Sequence, residues 1–353
     1  MHDGPLRGRS GVWIVPLLAA RARSFHIGLH LHPFHRLARL APLLLAGACT
    51  LADVTLPAGE EVVAVEAVLR TDAPVQAVVL HRSLDGRDVR GVAGARVTVT
   101  APDGRTIAFK ETDQVCFRVP GDYFREEPGS VKASCYLSSG DEGSWVRPGA
   151  VYRLRVETPD GGVIQGRTRV PGAFALAGLP FTTRVEGRGS ALCALPPARI
   201  LPVAWTRSDS AWSYIAPIRI FDLRTALARE GIQAAIPDPL ELVGLAISEK
   251  DTTIALPSEF GVFDRFEYDN AALAALQSGF PDGVVAEMIV AAADRNYVNG
   301  VRGGRFNPSG PVRISSVSGD GVGVFGSLVP LYVRVRVQPE EVSRRAGIAR
   351  CLG

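Results

Sequence analysis

Downstream of residue 48 the sequence holds one histidine, His81. A serine or cysteine nucleophile needs a base within hydrogen-bond reach, most often histidine, so a Ser-His-Asp or Cys-His arrangement would have to use it. His81 ends an apolar β run, in "LHRSLDG", and reads as a surface residue on a strand entering a turn. No H-E-x-x-H, G-x-S-x-G or two-histidine metal set is present. A glycosidase built on two carboxylates needs no histidine, only two acids about 5–10 Å apart. The acids of this chain show no spacing that singles out a pair, so a carboxylate-based hydrolase stands as an alternative without a motif. The expectation is a non-enzymatic protein with no cofactor and no metal. Chemistry is then left to cysteines and aromatic rings.

The first such cysteine is Cys49, in "RLARLAPLLLAGACTLADV". Leu40 to Ala48 is an uncharged apolar run of nine residues, whereas a membrane-spanning helix needs about 20. It has the length of a signal-peptide core, with Arg36 and Arg39 as the positive flank. Small residues Ala46, Gly47 and Ala48 leave the backbone open to a peptidase, and Cys49 then offers a thiol for acylation. The stretch resembles the lipobox of bacterial lipoproteins, although leucine more often stands where Ala46 does. The rival reading is an ordinary secretory signal cut nearby. Residues 1–48 are thus expected to be a leader. Within it, residues 1–30 are read as a start-site artefact, and His26, His30, His32 and His35 as discarded sequence rather than a metal cluster.

Export makes disulfides permissible for Cys116, Cys135, Cys193 and Cys351. Four cysteines allow three pairings; the favoured one joins Cys116 to Cys135 and Cys193 to Cys351. Zinc is the rival, but no C-x-x-C pair occurs and histidine partners are nearly absent. The aromatics Tyr123, Phe124, Tyr136 and Trp145 fall in the polar, turn-rich stretch Val119 to Ala150. Long loops are often functional, and Tyr123, Tyr136 and Trp145 could stack on a sugar or peptide. The favoured reading is that they pin the loop to the body beneath it, helped by the Cys116–Cys135 disulfide.

The formal charge is +3, with 39 basic and 36 acidic residues. Residues 1–48 carry six arginines and one acid, which leaves 33 basic against 35 acidic beyond them. Net charge therefore gives no case for nucleic acid. Thirty-six of the 39 basic residues are arginine, a bias that reads as genome composition rather than phosphate recognition.

These groups must be positioned by strands. From Cys49 onward about 305 residues remain, enough for two domains of ordinary size. Short β-branched runs broken by Gly, Pro, Asp and Asn predict an all-β fold. The first domain is placed at 55–171. In "VAGARVTVTAPDGRTIAF" Val97 and Val99 alternate with polar neighbours before the turn Pro102-Asp103-Gly104. "VYRLRVETPDGGVIQGRTRV" repeats the device around Pro159-Asp160-Gly161. About seven such strands suggest an immunoglobulin-like or transthyretin-like sandwich. The second domain, 181–351, opens with Trp205 and Trp212 on neighbouring strands, as in a fibronectin-like sandwich, with both rings read as core. Short helices are expected at Leu223 to Gly231, in "YDNAALAALQSG", and after Pro339. The glycines 319, 321, 323 and 326 lack a following Gly-Lys-Ser/Thr and read as a strand approached closely by other backbone.

The order of features resembles a family of uncharacterised bacterial outer-membrane lipoproteins. That family carries a domain of unknown function and is often encoded beside TonB-dependent receptors. The corresponding segments here are Cys49, "VAVEAVL", "VAGARVTVT", "VYRLRVETPDGG…RTRVPG", "DRNYVNG" and "GDGVGVFGS". The resemblance implies location in the cell envelope, as an outer-membrane lipoprotein held by its lipid. It implies a role in uptake or surface assembly, with a TonB-dependent receptor or other envelope protein as partner, and no reaction. A carbohydrate-binding module using the loop aromatics is the second reading.

Overall fold

A computed structural model describes residues 61–84, 88–112, 133–140, 145–179, 190–245, 250–260, 270–302 and 314–351. The leader, Cys49, Cys116 and Tyr123 lie outside the described residues. The fold is all-β with a few short helices.

Strict alternation builds the N-terminal strands. In β1 (Val62–Arg70) the buried residues Val63, Val65, Ala67 and Leu69 fall on one face, with Glu66 exposed on the other. β2 (Ala77–Leu84), β3 (Asp88–Gly91), β4 (Arg96–Thr100), β5 (Thr106–Thr112) and β6 (Ser134–Ser138) follow. β7 (Val151–Glu157) buries Tyr152, Leu154 and Val156 and turns Arg153 and Arg155 outward. β8 (Val163–Arg169) returns against β7 with Ile164 buried. Both Pro-Asp-Gly segments are turns, closed by the Gly104 N–H donating to the Ala101 carbonyl (3.0 Å) and the Gly161 N–H to Thr158 (3.0 Å).

β9 (Leu176–Ala177), β11 (Leu201–Trp205) and β14 (Thr253–Leu256) make a separate three-stranded sheet. β10 (Ser190–Leu195), β12 (Ser213–Phe221), β13 (Leu240–Leu245), β15 (Val285–Ala293), β16 (Val317–Gly319) and β17 (Gly321–Val337) join the larger one. Its order is β13-β12-β15-β17-β1-β2-β6-β5-β4-β7-β8-β16, with β10 on β17 and β3 on β2. β17, 17 residues long, is the shared element. Gly321 to Leu328 runs parallel to β1, while Leu328 to Arg336 lies antiparallel to β15 and Tyr332 to Val337 parallel to β10. One strand thus serves both halves of the sequence, a long-range pairing that alternation within a strand cannot encode.

The two halves of β17 differ for a physical reason. A Cβ at Gly323 would sit 2.0 Å from the Val65 carbonyl oxygen, and one at Gly321 would sit 2.7 Å from that of Val63. Only glycine permits that approach, and the φ of +136° at Gly323 demands it as well. Farther on, Val333, Val335 and Val337 are buried in alternation.

Four helices decorate the described residues: α1 (Leu223–Arg229), α2 (Asn270–Leu276), α3 (Arg295–Arg302) and α4 (Glu340–Arg345). α1 buries Leu223, Ala226 and Leu227, one helical face, and Gly231 at φ +82° ends the turn that follows. In α4, Pro339 stands at the cap, Glu340 and Glu341 open the helix and Arg344 and Arg345 close it, matching the helix dipole.

The tryptophan pair departs from expectation. Trp205 is buried on β11 against Tyr214, with ring centroids 5.2 Å apart. Trp212 is 44% exposed, with the Arg295 guanidinium 5.1 Å from its ring centre. Their strands are not neighbours, because β11 pairs β14 and β9 while β12 pairs β13 and β15. Proximity in sequence had suggested one hairpin; the chain instead changes sheets between them.

Candidate functional site

Trp145 precedes β7 and is buried, packed edge-on against Phe109 (6.4 Å, 86°) and Tyr152 (5.6 Å, 63°). The Tyr152 hydroxyl donates to the Trp145 carbonyl (2.9 Å) and accepts the Arg147 N–H (2.9 Å), so β7 holds the incoming segment by its backbone. Burial pushes the Tyr152 hydroxyl above its ordinary pKa. Trp145 and Tyr152 line a cavity of about 190 Å³, with Ala101 beside them. The first Pro-Asp-Gly turn contributes Pro102 and Asp103 to its wall, and Arg105 and Arg147 complete it. Asp103 accepts the Arg105 backbone N–H (3.0 Å), which stabilises the turn. Trp145 Nε1 is buried without a hydrogen-bond partner among the described residues. An orphaned donor of that kind is uncommon.

Tyr136 has a different place. The stretch read as a loop from Val119 to Ala150 contains β6, and Tyr136 sits on it, 1% exposed. Its hydroxyl donates to the Val92 carbonyl (2.5 Å) and accepts the Ala95 N–H (3.0 Å). The ring is core and offers no face to a ligand. Of the three candidate contact aromatics, Trp145 alone is described at a cavity. His81 is half-buried on β2, opposite Ala64 and Gly91.

Two buried polar clusters on β17 escaped the sequence reading. In the first, Asp294 immediately precedes α3 and accepts the Tyr297 N–H (2.9 Å), as a helix cap does. The same carboxylate accepts the Ser327 N–H (3.1 Å) and the Thr168 hydroxyl (2.6 Å), and Thr168 and Ser327 share a further contact at 2.8 Å. Asn296 donates to the carbonyls of Arg167 (2.8 Å) and Phe325 (2.9 Å). Burial pushes the Asp294 carboxyl above its ordinary pKa, against the pull of these donors. Residues of "DRNYVNG" and "GVFGS" thus meet at one junction with β8.

In the second, Arg70 donates from Nε and Nη2 to both oxygens of Asp72 (2.9 and 2.8 Å), and from Nη2 to the Tyr332 hydroxyl (2.8 Å). Tyr332 in turn donates to Asp72. Burial would raise the Asp72 pKa, but hydrogen bonds from Arg70 and Tyr332 and the Arg70 charge outweigh it, so the carboxyl lies below its ordinary value. Gln76 fastens Arg70 by its backbone, accepting its N–H and donating to its carbonyl, both at 2.9 Å.

Cys193 on β10 is bonded to Cys351, across a sequence separation of 158 residues. Cys135 is also disulfide-bonded. Among the described residues no group of three or more His, Cys, Asp or Glu is arranged to hold a metal ion.

Comparison with known families adds one finding. Residues 51–188 match a domain of unknown function, DUF4249. No curated protein matches the chain. The matched domain includes the "VAVEAVL", "VAGARVTVT" and "VYRLRVETPDGG" segments and the whole lining of the Trp145 cavity. The Asp294 junction draws Thr168 from within it and Asp294 and Ser327 from outside it.

Proposed function

We propose that this protein is an exported, lipid-anchored component of the bacterial cell envelope. It is held in the outer membrane by Cys49 and binds a partner rather than catalysing a reaction. The partner is an outer-membrane uptake receptor of the TonB-dependent kind or another envelope protein. The observation that carries the reading is the buried Cys193–Cys351 disulfide. Such bonds persist in oxidising compartments and are rare in the cytosol. Cys49 behind its nine-residue apolar run supplies the anchor. In this reading residues 55–171 and 181–351 are two sandwich-like bodies, amended by β17 running through both.

Mass spectrometry of native membrane protein tests the anchor. The expected result is a chain beginning at Cys49 and carrying acyl groups, with Cys49→Ala released from the membrane fraction. An unmodified Cys49 inside an intact extension from Met1 overturns it. The disulfide adds a second measure. In the chain-entropy model, closing a loop of this length is worth about 5 kcal/mol. Cys193→Ser/Cys351→Ser is expected to lose stability of that order in urea denaturation.

A further inference from the structure

We propose that the outward face of β5, β4, β7 and β8 docks on a membrane, against the anionic phosphate headgroups of the bilayer that carries the Cys49 anchor. Alternation assigns the face. The registers that pair Val97 with Phe109 and with Val156 in the core leave Arg96, Lys110, Arg153, Arg155, Arg167 and Arg169 on the solvent side, all exposed. The four strands place one acid among them, Glu157, while Glu111 falls in phase with Phe109. Glu157 pairs with Arg155 (2.8 Å) and Arg96 (3.8 Å). The side chains of Lys110, Arg153, Arg167 and Arg169 make no ion pair or hydrogen bond among the described residues. Arg153 stands directly opposite Arg167, and Arg169 takes the next outward position of β8. Like charges so placed repel each other, and an anion resting between them turns that repulsion into two attractions. Beyond residue 48 the chain holds 33 basic and 35 acidic residues, so placement rather than number makes this face positive.

Shape and tether select the occupant. No outward position of these strands carries an aromatic ring, whereas protein partners concentrate affinity in a few packed anchors, commonly aromatic. Headgroup phosphates ask only for cations spread over a surface. Cys49 precedes Val62, the first residue of β1, by 13 residues, and a chain of that length spans at most about 45 Å. From β1 to β8 the sheet is six strand spacings wide, about 29 Å. A chain acylated at Cys49 therefore reaches far enough to lay this face on its own bilayer, where acyl groups and cations act as two signals for one membrane. The docking depends on that anchor for its membrane.

Arginine footprinting of the native protein decides it. The protein is added to vesicles of phosphatidylcholine alone or mixed with phosphatidylglycerol, and phenylglyoxal modification is read at each arginine by mass spectrometry. Arg153, Arg167 and Arg169 are expected to react about fivefold more slowly on the anionic vesicles, the factor that corresponds to roughly 1 kcal/mol per cation. The difference is expected to vanish in about 1 M salt, where the Debye length is roughly 3 Å. Arg153→Gln/Arg167→Gln removes the opposed pair from exposed positions, and Arg155 and Arg169 of that variant are expected to lose most of their protection. Equal rates on the two kinds of vesicle overturn the proposal, and so does slowing spread evenly over the arginines of the chain. Protection by soluble polyglutamate but not by vesicles overturns it in favour of an acidic protein partner. The intact mass of the same sample reports acylation, so a missing anchor and a face indifferent to anionic lipid give different results.

Discussion

Asp72, half-buried, and Asp294, buried, are both carboxylates fastened to β17, and they are held by opposite means. Asp72 has a cation: the Arg70 guanidinium grips both its oxygens, and Tyr332 of β17 closes the set. Asp294 has neutral donors, two backbone N–H groups and the Thr168 hydroxyl. The pKa values follow, one below and one above the ordinary 3.8. Neutral donors offset burial less well than a charge does, so the same side chain favours ionisation at one junction and protonation at the other.

The largest expected effect lies at the paired junction. Arg70→Met leaves Asp72 without its cation and is expected to cost about 3–5 kcal/mol in urea denaturation. Adding Asp72→Asn removes the stranded charge, so the double variant is expected to recover part of that loss. Equal losses in single and double variants would mean that Arg70 acts through packing alone. Asp294→Ala is expected to cost less, about 2–3 kcal/mol, because it removes the cap of α3 and strands two N–H groups but no ion. A larger loss there than at Arg70 would reverse the comparison.

Acid and alkaline limbs separate the two carboxylates further. The folded chain holds the Asp294 proton to a higher pH than the unfolded chain does. That contribution is complete below 3.8 and is lost as pH rises through the folded value. Asp72 has the opposite sign: its contribution is present above 3.8 and is lost as pH falls through its depressed value. Asp294→Asn is expected to flatten the first limb and Asp72→Asn the second, read from stability against pH.

Much of the local structure was legible in the residues. The alternation of Tyr152, Leu154 and Val156 placed β7, and the Pro-Asp-Gly pairs placed its turns. Glycine at 321 and 323 announced close backbone approach, which the Val63 and Val65 carbonyls supply. The junctions were not legible because their partners are remote: Thr168 lies 126 residues from Asp294, and Tyr332 lies 260 from Asp72. "RTDAP" holds both members of the ion pair, Arg70 and Asp72, but nothing in those five residues points to Tyr332 as the third member. In "DRNY" polar residues follow directly on an apolar strand, a pattern that signals a helix cap, which Asp294 is. Tyr136 was assigned to a loop because turn residues surround it, and the short β6 was hidden among them. The cavity was missed for a similar reason, since its wall joins a turn read as punctuation to a tryptophan 42 residues later in sequence.

The smallest expected effect is the most discriminating. Tyr332→Phe deletes one hydroxyl and is expected to cost about 1 kcal/mol. It also removes a donor that lowers the Asp72 pKa, so the acid limb is expected to move to higher pH. Thr168→Val is the matching change at the other junction. It removes a donor that lowers the Asp294 pKa, so the upper limb is expected to move to higher pH as well. Both carboxyls shift the same way, yet the consequences differ. Just above 3.8 the Tyr332 variant loses stability that the ionised Asp72 supplies. Over the same range the Thr168 variant keeps more of what protonated Asp294 supplies. Melting curves of the two variants across acidic pH, each set against wild type at the same pH, read that divergence directly. If both differences moved in parallel, the junctions would share one mechanism, and the distinction between an ion-held and a dipole-held carboxylate would fail.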